Sequence, residues 1–328
     1  MNGKPPTVSV VLNCYNHDLY VGEAIASVLA QTFTDFELII IDNGSTDSTR
    51  KIICSFDDPR IRLMLNDTNE SLSRRLNQGV AAARGNYVCV LYSDDMMLPD
   101  KLERQVAIMD ALPADYGVTY CPAEAFNQKT GARWQHQYLK VDGPFMPAIL
   151  RHYTDGFPDI SSPLYRRACF AECHWHEDLF TDGEAIMLRI ALKWKFRYDP
   201  RPTVMLRDHG GNLGKAIQKN HDMLMTVCER LAADPEFPLA MRADLNRFRA
   251  LVCRGSAWVA LRIGSRDGAW IKAQLCAVLR LSPSVALHPR WLAGVALALV
   301  PPGGRDWLNR LARRFRHGEE NATLMIDY

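Results

Sequence analysis

Polar and acidic side chains follow three of the strand-like segments in the first part of the sequence. Carboxylates that gather at one place suit a hard divalent cation, Mg²⁺ or Mn²⁺, that bridges phosphates. An aromatic ring such as Tyr15 can stack on a base, and Asp42 can accept a hydrogen bond from a base or a ribose. We therefore expect a nucleotide site with a metal ion here. The three groups are Asn13-Cys14-Tyr15-Asn16, Asp42-Asn43-Gly44-Ser45-Thr46-Asp47 and Ser93-Asp94-Asp95.

The first 120 residues alternate between strand-like and helix-like patterns, which predicts parallel strands with helices on both faces. In such a sheet ligands bind beyond the carboxyl ends of the strands, so the polar groups are expected to converge on one edge. Ser45 is expected to cap the second helix, Gly85 to end the third, and Pro99 to lie in the first turn of the fourth. The expected strands are 8–13, 37–42, 60–65, 87–92 and 116–121, and the expected helices are 20–31, 46–56, 73–84, 98–112 and 183–194.

Composition and charge narrow the range of functions. Hydrophobic residues make up 48% of the 328 and charged residues 23%, which is typical of a soluble globular protein. The net charge of +2 argues against a general nucleic-acid binder, so no nucleic-acid partner is expected. The nine cysteines form no C-x-x-C pair, and residues 1–6 lack the order of a signal peptide. A cytoplasmic protein with reduced thiols and no membrane-spanning segment is expected.

The sequence changes character near residue 214. Residues 1–214 carry the alternating pattern and are expected to form one domain, whereas residues 215–328 are predicted to be helical almost throughout. Residues 305–316 hold five Arg and one Asp, with apolar side chains on one helix face. Together with the apolar stretch before them, they indicate a peripheral membrane contact through 285–316, on the inner face of the plasma membrane. A helix packed on its own domain, with a solvated basic side, explains the pattern equally well.

Each acidic group also has a structural explanation. Aspartates at strand ends are common turn residues, and Asp94 and Asp95 before a helix can stabilise its N-terminus. The occurrence of all three groups in chain order on one predicted edge favours a functional site. A dinucleotide-binding fingerprint is excluded because no glycine stands between the first strand and Gly22, and the sequence has no P-loop motif. A nucleotidyltransferase, which needs a glycine- and basic-rich loop at 13–18, stays as a weaker alternative.

Two long stretches resemble the family-2 glycosyltransferases of the GT-A fold. They are TVSVVLNCYNHDLYVGEAIASVLAQTFTDFELIIIDNGSTDST over residues 7–49 and LNQGVAAARGNYVCVLYSDDMMLPDKLERQV over residues 76–106. The resemblance covers roughly residues 7–214 and is most specific over 7–110. It implies an α/β, Rossmann-like, mostly parallel sheet flanked by helices, with a helical C-terminal extension. It also implies an inverting enzyme of the bacterial surface-polysaccharide type.

The resemblance implies a role for residues of each polar group. Asp42 matches the carboxylate that bonds the base, and Tyr15 matches the aromatic residue beside the base. Asp95 matches the direct metal ligand, and His209 matches a histidine that closes the site near metal and diphosphate. The motif here is S-D-D, one carboxylate short of the usual pattern, but diphosphate oxygens and waters complete an octahedral shell. The expected nucleotide-sugar ligands are Asn13, Tyr15, Asn16, Asp42, Arg74 and Asp94, and the expected ligands of Mg²⁺ or Mn²⁺ are Asp95 and His209.

The expected catalytic base lies just before the predicted helix 183–194. In inverting members a carboxylate stands six residues before an arginine of this helix; counted from Arg189, that position is Gly183 here. Asp182 lies one residue away and is favoured as the base, and Glu184 is the other candidate. The base would deprotonate an acceptor hydroxyl within hydrogen-bond range.

The resemblance implies transfer of a sugar from a nucleotide-diphosphate donor, with UDP favoured, to a glycan or lipid-linked acceptor. Metal and a basic group, Arg74 or Arg75, neutralise the leaving diphosphate, unless both arginines are solvated helix-face side chains. One displacement on the opposite face of the anomeric carbon inverts its configuration. A non-catalytic nucleotide-sugar-binding scaffold is the main alternative, because no carboxylate stands at the usual base position.

Overall fold

The computed structural model describes most of the chain, with the backbone alone described for Glu184 and residues 312–314. The chain forms two compact units, Met1–Met146 with Pro158–His209 and Pro147–Phe157 with Gly210–Tyr328. The described residues are 4–136, 138–153, 156–179, 183–212 and 215–314.

The first unit is built on a large, mostly parallel sheet. Its order is β3-β2-β1-β4-β10-β6-β11-β9, and β3, β2, β1 and β4 run parallel to one another. The strands in chain order are β1 (Val8–Cys14), β2 (Phe36–Asn43), β3 (Ile61–Asn66), β4 (Tyr87–Tyr92), β5 (Met96–Met97), β6 (Tyr116–Tyr120), β7 (Ala123–Asn127), β8 (Arg133–His136), β9 (Asp142–Pro144), β10 (Leu164–Arg166), β11 (Lys195–Tyr198) and β12 (Val204–Asp208).

Helices cover the sheet because their apolar residues recur with helical spacing. In the first helix Val21, Ala24, Ile25 and Val28 are buried, a single face that packs in the same core as β1, β2 and β4. β1 and β2 are buried along their whole lengths, as expected for strands covered on both faces. The helices up to residue 190 are α1 (Val21–Leu29), α2 (Thr49–Ile53), α3 (Leu72–Ala82), α4 (Lys101–Ala111), α5 (Phe145–His152), most of which belongs to the second unit, and α6 (Ile186–Ile190).

The predicted α/β fold with a mostly parallel sheet is confirmed. Three strands of the sheet were not predicted, namely β9, β10 and β11, and β10 lies antiparallel between β4 and β6. β10 has only three residues and stands outside the alternating first part of the sequence, so it carries too little periodicity to be recognised.

Three local predictions are wrong. Ser45 does not cap a helix: α2 begins at Thr49, and the backbone N–H of Ser45 instead donates to Asp42 Oδ1 at 3.3 Å. Gly85 is needed for close packing rather than as a helix end, since a Cβ there would lie 2.6 Å from Ser9 N. Pro99 precedes α4, which begins at Lys101.

The predicted helix 183–194 is much shorter in the structure. Gly183–Ala185 forms a 3₁₀ turn, and α6 ends at Ile190. The chain then forms β11 from Lys195 to Tyr198, whose pairing with β6 shifts register between Lys195 and Phe196.

A smaller sheet, β5-β12-β7-β8, positions the acidic pair. β5 follows Asp95 directly and pairs antiparallel with β12, Val204 with Met97 and Met205 with Met96. β12 also runs parallel to β7. Residues from β12 are thereby brought next to the acidic pair after β4, although more than a hundred residues separate them in the chain.

The second unit is helical in its described residues. α8 is its central helix, packed against α7, α9 and α11, with Ala257, Leu261 and Ile271 among its core side chains. In the part of the chain that the structure describes, no helix combines the length and the apolar character needed to cross a bilayer. The helices are α7 (Ile217–Ala233), α8 (Arg242–Arg262), α9 (Gly268–Leu281), α10 (Pro283–Ala286), α11 (Pro289–Leu299) and α12 (Pro302–Arg314).

Candidate active site

The carboxyl ends of β1 and β4 lie side by side and form the centre of the site. Asn13 of β1 pairs in register with Tyr92 of β4, and the acidic pair follows directly. Asn13 is 8% exposed, and its Oδ1 atom is buried without a hydrogen-bond partner among the described residues. A buried acceptor of this kind is costly to leave unsatisfied, which is expected at a ligand site.

The loop after β1 is tied to the loop after β2. Asn16 adopts a left-handed φ of 50°, its side-chain Oδ1 accepts the N–H of Thr46 at 2.8 Å, and its own N–H donates to Ser45 Oγ at 3.1 Å. Asn16 is thus a residue that shapes the loop. Tyr15, next to it, is 37% exposed at the edge of the sheet, where a planar ligand can reach it.

Asp42 is fully buried at the end of β2. Its Oδ2 accepts from Arg50 Nε at 2.9 Å and its Oδ1 from the N–H of Ser45 at 3.3 Å. The carboxylate has acceptor positions to spare, but it is fully buried, so a base can reach Asp42 only if the surrounding side chains move. The hydrogen bond to a base therefore stays a prediction that requires a local rearrangement.

The two adjacent arginines of α3 have different environments. Arg75 is buried and donates to Asn43 Oδ1 at 2.7 Å, to Asn66 Oδ1 at 2.9 Å and to the carbonyl of Thr68 at 2.7 Å. Arg74 has a side chain 59% exposed and pairs with Glu70 at 2.8 Å. Arg75 is thus committed to the loop between β3 and α3, and Arg74 is the one of the two with room to move toward a ligand.

Residues from distant parts of the chain hold the acidic pair. Asp95 is 6% exposed; its Oδ1 accepts the N–H of Arg207 at 3.1 Å and its Oδ2 accepts the hydroxyl of Ser161 at 3.2 Å. The side chain of Arg207 donates to the carbonyl of Asp94 at 3.1 Å and forms an ion pair with Glu23. Arg207 therefore fixes both the backbone and one carboxylate of the pair.

Two histidines adjoin the acidic pair. His209 Nε2 lies 3.0 Å from Asp94 Oδ2, and the His209 ring packs on Tyr20 with centroids 4.8 Å apart. His17 Nδ1 lies 2.7 Å from Ser93 Oγ. Burial lowers the pKa of His17, which favours its neutral form. His209 thus lies where a metal ligand is expected, but its Nε2 would have to break its contact with Asp94 before it could bind a metal ion.

Burial and mutual repulsion act on the carboxylates. Burial, followed by the charges of Asp94 and Asp159, raises the pKa of Asp95 well above its usual value. Burial also raises the pKa of Asp159 to about 6. The raised pKa values indicate that Arg207 and Lys101 do not offset burial and repulsion, and a divalent cation would supply further positive charge.

The donor set fits a hard cation only in part. Oxygen ligands are what Mg²⁺ and Mn²⁺ prefer. Within the described ranges, however, no three acidic, histidine or cysteine side chains are grouped so as to hold a metal ion. A cation here would rely on Asp95 and its neighbours together with oxygens of the donor.

Both candidates for the base lie beyond what the structure describes. Asp182 is outside the described residues, and so is the side chain of Glu184. The neighbouring backbone is well anchored: Trp175 Nε1 donates to the carbonyl of Gly183 at 3.1 Å. Trp175 is fixed in turn by Asn77 of α3, which accepts from its N–H and donates to its carbonyl, both at 2.9 Å.

Several residues of the site were missed by sequence reasoning. His17 follows Asn16 directly, and its position in the same polar loop was a usable signal. Arg207 lies two residues before His209 and was also within reach. Asp159 and Ser161 gave no signal, because they stand in a turn-rich stretch without periodicity.

Comparison with known sequences gives a consistent result. The sequence profile described as "Glycosyl transferase family 2" matches residues 9–194. The chain is 37% identical over 115 residues to the succinoglycan biosynthesis protein ExoO of Rhizobium meliloti, which is 35% of this chain and 33% of that protein. It is 34% identical over 102 residues to the Escherichia coli β-1,3-glucosyltransferase WfgD, 31% of this chain and 40% of that protein. The chain thus matches about a third to two fifths of these relatives.

Solved structures share the fold at low sequence identity. Staphylococcus aureus TarS 1–349 in complex with UDP superposes with a TM-score of 0.66 at 16% identity, over 95% of this chain and 92% of that one. The Pyrobaculum calidifontis mannosyltransferase PcManGT, in complex with GDP-Man and Mn²⁺, has a TM-score of 0.59 at 14% identity, over 96% and 89%. The expected GT-A fold with a helical C-terminal region is confirmed. Because the family profile also covers more than half of the chain, this protein belongs to glycosyl transferase family 2.

Proposed function

We propose that this protein transfers a sugar from a nucleotide-diphosphate donor, preferably a UDP-sugar, to a hydroxyl of a glycan or lipid-linked acceptor, with inversion at the anomeric carbon. The observation that carries the proposal is the buried pair Asp94 and Asp95 at the edge formed by β1 and β4, beside the unsatisfied Oδ1 of Asn13. Its charge and burial match what a cation-bound diphosphate requires.

The names of similar proteins support this donor class. WfgD is named as a glucosyltransferase that acts from UDP-Glc on a diphosphoundecaprenol-linked GlcNAc. TarS 1–349 has been solved with UDP and with UDP-GlcNAc, whereas PcManGT was solved with GDP-Man. UDP is therefore favoured for this chain, and a lipid-linked acceptor agrees with the activity named for WfgD.

The nucleotide would lie across the ends of β1 and β2. Tyr15 would stack on the base, Asn13 would donate or accept through its amide, and Asp42 would bond the base after a local rearrangement that uncovers its carboxylate. Asn16 shapes the loop that carries Tyr15. Asp94 would lie toward the ribose or the sugar.

A divalent cation, Mg²⁺ or Mn²⁺, would be held by Asp95 with His209 and the donor oxygens, and would supply positive charge to the diphosphate. Arg74 would add a second positive charge, since its side chain is exposed while Arg75 is committed to its loop. Arg207 would keep the acidic pair in position through its bonds to Asp94 and Asp95.

The base would be Asp182, with Glu184 as the alternative. It would take the proton of the acceptor hydroxyl as the hydroxyl oxygen attacks the anomeric carbon from the face opposite the leaving group. An α-linked donor then gives a β-linked product. The anchoring of Gly183 through Trp175 and Asn77 would keep this segment beside α3.

The finer organisation also belongs to the proposal. We place the transferase domain in residues 1–214 and the helical region in 215–328. A peripheral contact with the inner face of the plasma membrane through 285–316 would bring a lipid-linked acceptor to a cytoplasmic enzyme. Nucleic acid is not an expected partner, given the net charge of +2.

Release of the nucleoside diphosphate tests the activity. The full chain is incubated with Mn²⁺, a panel of UDP-, dTDP- and GDP-sugars and a lipid-diphosphate sugar acceptor, and nucleotide and product are followed by chromatography and mass spectrometry. We expect one donor to be consumed and Asp95→Asn to lose at least 100-fold in rate. The exposed Asp57→Asn serves as the matched control and should keep the wild-type rate. Equal rates in Asp95→Asn and wild type would refute the site.

A non-catalytic nucleotide-sugar-binding scaffold is the second candidate, favoured by one observation: Gly183 stands where the family's base is expected. Asp182→Asn and Glu184→Gln distinguish the two. If one variant binds donor like wild type but loses turnover, the enzyme is supported and the base is identified. Donor binding without turnover in the wild type, across the whole panel, would support the scaffold.

A further inference from the structure

The helical unit contains a buried arginine without an acceptor. Arg254, in the middle of α8, is 4% exposed. Within the described ranges its guanidinium has no hydrogen-bond or ion-pair partner. The other buried arginines discussed above differ: Arg75 and Arg207 each donate to several oxygens.

A buried cation without a partner destabilises a fold. Removal of an unpaired charge from water costs several kcal/mol unless hydrogen bonds compensate. Two carboxylates of the same unit are used elsewhere: Asp244 pairs with Arg151 at 2.7 Å, and Glu229 with Arg249 at 3.5 Å. The guanidinium nitrogens of Arg254 are not among the fully buried atoms that lack a partner in the described ranges, so the group reaches solvent, where water or a bound anion can accept its hydrogen bonds.

The surroundings of Arg254 are positively charged. Arg247 lies seven residues earlier on α8, two turns away on the same helix face. Arg290 lies in the first turn of α11, which packs against α8. Burial, then the charges of Arg290 and Arg247, lowers the pKa of Arg254. Burial, then Arg254 and Arg290, lowers the pKa of His288, and among the described residues no carboxylate contributes to either shift.

These groups suit a phosphate. Guanidinium groups bind phosphate oxygens in a bidentate manner, and several around one anion share its charge. His288 caps α11 by accepting the N–H of Arg290 on Nδ1 at 3.1 Å, so the proton of the neutral ring is on Nε2 and can be donated to an anion. The positive end of the α11 dipole favours the same charge.

Exposed apolar side chains adjoin the cluster. Leu287, immediately before His288, is 81% exposed, and Leu292 of α11 is 58% exposed. Apolar residues beside basic ones are typical of a surface that meets phospholipid headgroups. A soluble phosphate compound presents the same anion without an acyl chain.

We propose that Arg254, Arg247 and Arg290, with His288, form a phosphate-binding site on α8 and α11, in the helical unit. The ligand is a phosphate or phosphodiester group, carried by a lipid headgroup or by a small molecule. This site is separate from the acidic sheet edge and does not depend on the proposed transferase activity.

The melting temperature of the full chain tests the site. It is measured in EDTA with inorganic phosphate against sodium chloride at equal ionic strength, so that metal-dependent donor binding does not contribute. Saturating phosphate is expected to raise the melting temperature of the wild type by about 3 °C. Arg254→Met should melt in chloride at or above the wild-type temperature, because it removes an unpaired buried charge, and should lose the phosphate shift. Arg242→Gln, an exposed arginine at the start of α8, is the matched control and should keep it.

Vesicle sedimentation identifies the source of the phosphate. Binding to phosphatidylglycerol vesicles that falls at least tenfold in Arg254→Met supports a lipid headgroup, whereas a phosphate shift without vesicle binding supports a soluble ligand. If Arg254→Met does not fold, Arg290→Gln is used and should need at least tenfold more phosphate for the same shift. A phosphate shift that is absent from the wild type, or equal in wild type and the folded variant, would overturn the proposal.

Discussion

Burial gives the carboxylates at the sheet edge properties that exposed acids do not have. Asp95 keeps only 6% of its surface exposed, and Asp94 and Asp159 add negative charge nearby. A carboxylate whose pKa is raised in the folded state stabilises the fold at low pH and loses that contribution as pH rises through the folded pKa. Ionisation of Asp95 therefore weakens the fold in the absence of a cation, as is common at functional sites.

Asp95→Asn should accordingly stabilise the metal-free protein. The amide removes one charge from the cluster while it still accepts hydrogen bonds, so we expect the free energy of unfolding at pH 7.5 to rise by about 1 kcal/mol. Urea denaturation in EDTA measures it. The exposed Asp57→Asn should stay within about 0.5 kcal/mol of wild type. A clear loss of stability in Asp95→Asn would mean that the carboxylate is a structural acceptor rather than a crowded charge.

Substitutions of the two adjacent arginines of α3 should have different effects: loss of Arg75 should lower stability, and loss of Arg74 should lower activity. Arg75→Ala removes three hydrogen bonds that a buried guanidinium donates to Asn43, Asn66 and Thr68, and should cost about 3 kcal/mol of unfolding free energy. Arg74→Ala removes a largely exposed side chain and should change stability by less than about 0.5 kcal/mol. If Arg74 reaches the diphosphate, the same variant lowers turnover at least tenfold. Unchanged turnover in Arg74→Ala would remove Arg74 from the site.

At the scale of elements, one buried glutamate joins several strands and a helix end. Glu37 of β2 is 2% exposed, accepts Ser9 Oγ at 2.7 Å, and pairs with Arg62 at 2.7 Å and Arg84 at 2.8 Å. Burial alone would raise its pKa, but the hydrogen bonds from Ser9, Arg62 and Arg84 outweigh it and lower the pKa. Glu37 thus stabilises the sheet as an ionised group.

Glu37→Gln should therefore destabilise the protein in a pH-dependent way. Loss of the charged hydrogen bonds should cost about 2 kcal/mol at pH 7. Because the folded pKa lies below the ordinary value of 4.5, the difference from wild type is present above that pH and shrinks as pH falls through the folded pKa. Urea unfolding between pH 7 and pH 3 measures the difference. A difference that stays constant over this range would show that ionisation of Glu37 does not contribute.

The sequence predicted the strands of the parallel sheet well, because β1, β2 and β4 are continuous apolar runs bounded by polar turns. It predicted helix ends less well. α2 begins at Thr49 rather than after Ser45, since Asp42 and Asn16 bind the loop before it. Tertiary contacts of this kind leave no local pattern.

The residues of the candidate site, like the secondary structure, could be predicted only in part. Asn13, Asp94 and Asp95 were identified because each lies at or directly after the end of a predicted strand. Arg207 and Ser161 reach the acidic pair through β12 and the segment before β10, so only the three-dimensional pairing of the strands connects them to it.

At the scale of the whole molecule, cysteine burial gives a simple check of the fold. All nine cysteines are free thiols; Cys54 and Cys276 are exposed, and Cys173 is intermediate. We expect a thiol reagent to label Cys54 and Cys276 rapidly in the native protein, Cys173 more slowly, and all nine after denaturation in the absence of reductant. Mass spectrometry after timed quenching identifies the labelled sites. Rapid labelling of Cys14 or Cys89, which lie in buried strands, would contradict the fold.

The two proposed binding sites lie in different units of the chain. The proposed donor site lies in the first unit and the proposed phosphate site lies in the helical unit, so the two can be tested in one protein with different variants. Asp95→Ala should leave the phosphate shift in EDTA unchanged, and Arg254→Met should leave metal-dependent nucleotide binding unchanged. Loss of both effects in either variant would point to a general defect in folding.

The most direct test of the central claim is thermal stabilisation by nucleotides. The full chain and Asp95→Ala are melted with UDP, dTDP, GDP or CMP, each with and without Mn²⁺. A ligand at 100 times its Kd stabilises by about 2.7 kcal/mol, which is a shift of several degrees. We predict that UDP raises the wild-type melting temperature only when Mn²⁺ is present, and that Asp95→Ala abolishes the shift. If none of the nucleotides shifts the melting temperature of the folded wild-type protein, or if Asp95→Ala responds like the wild type, the acidic pair is not the donor site.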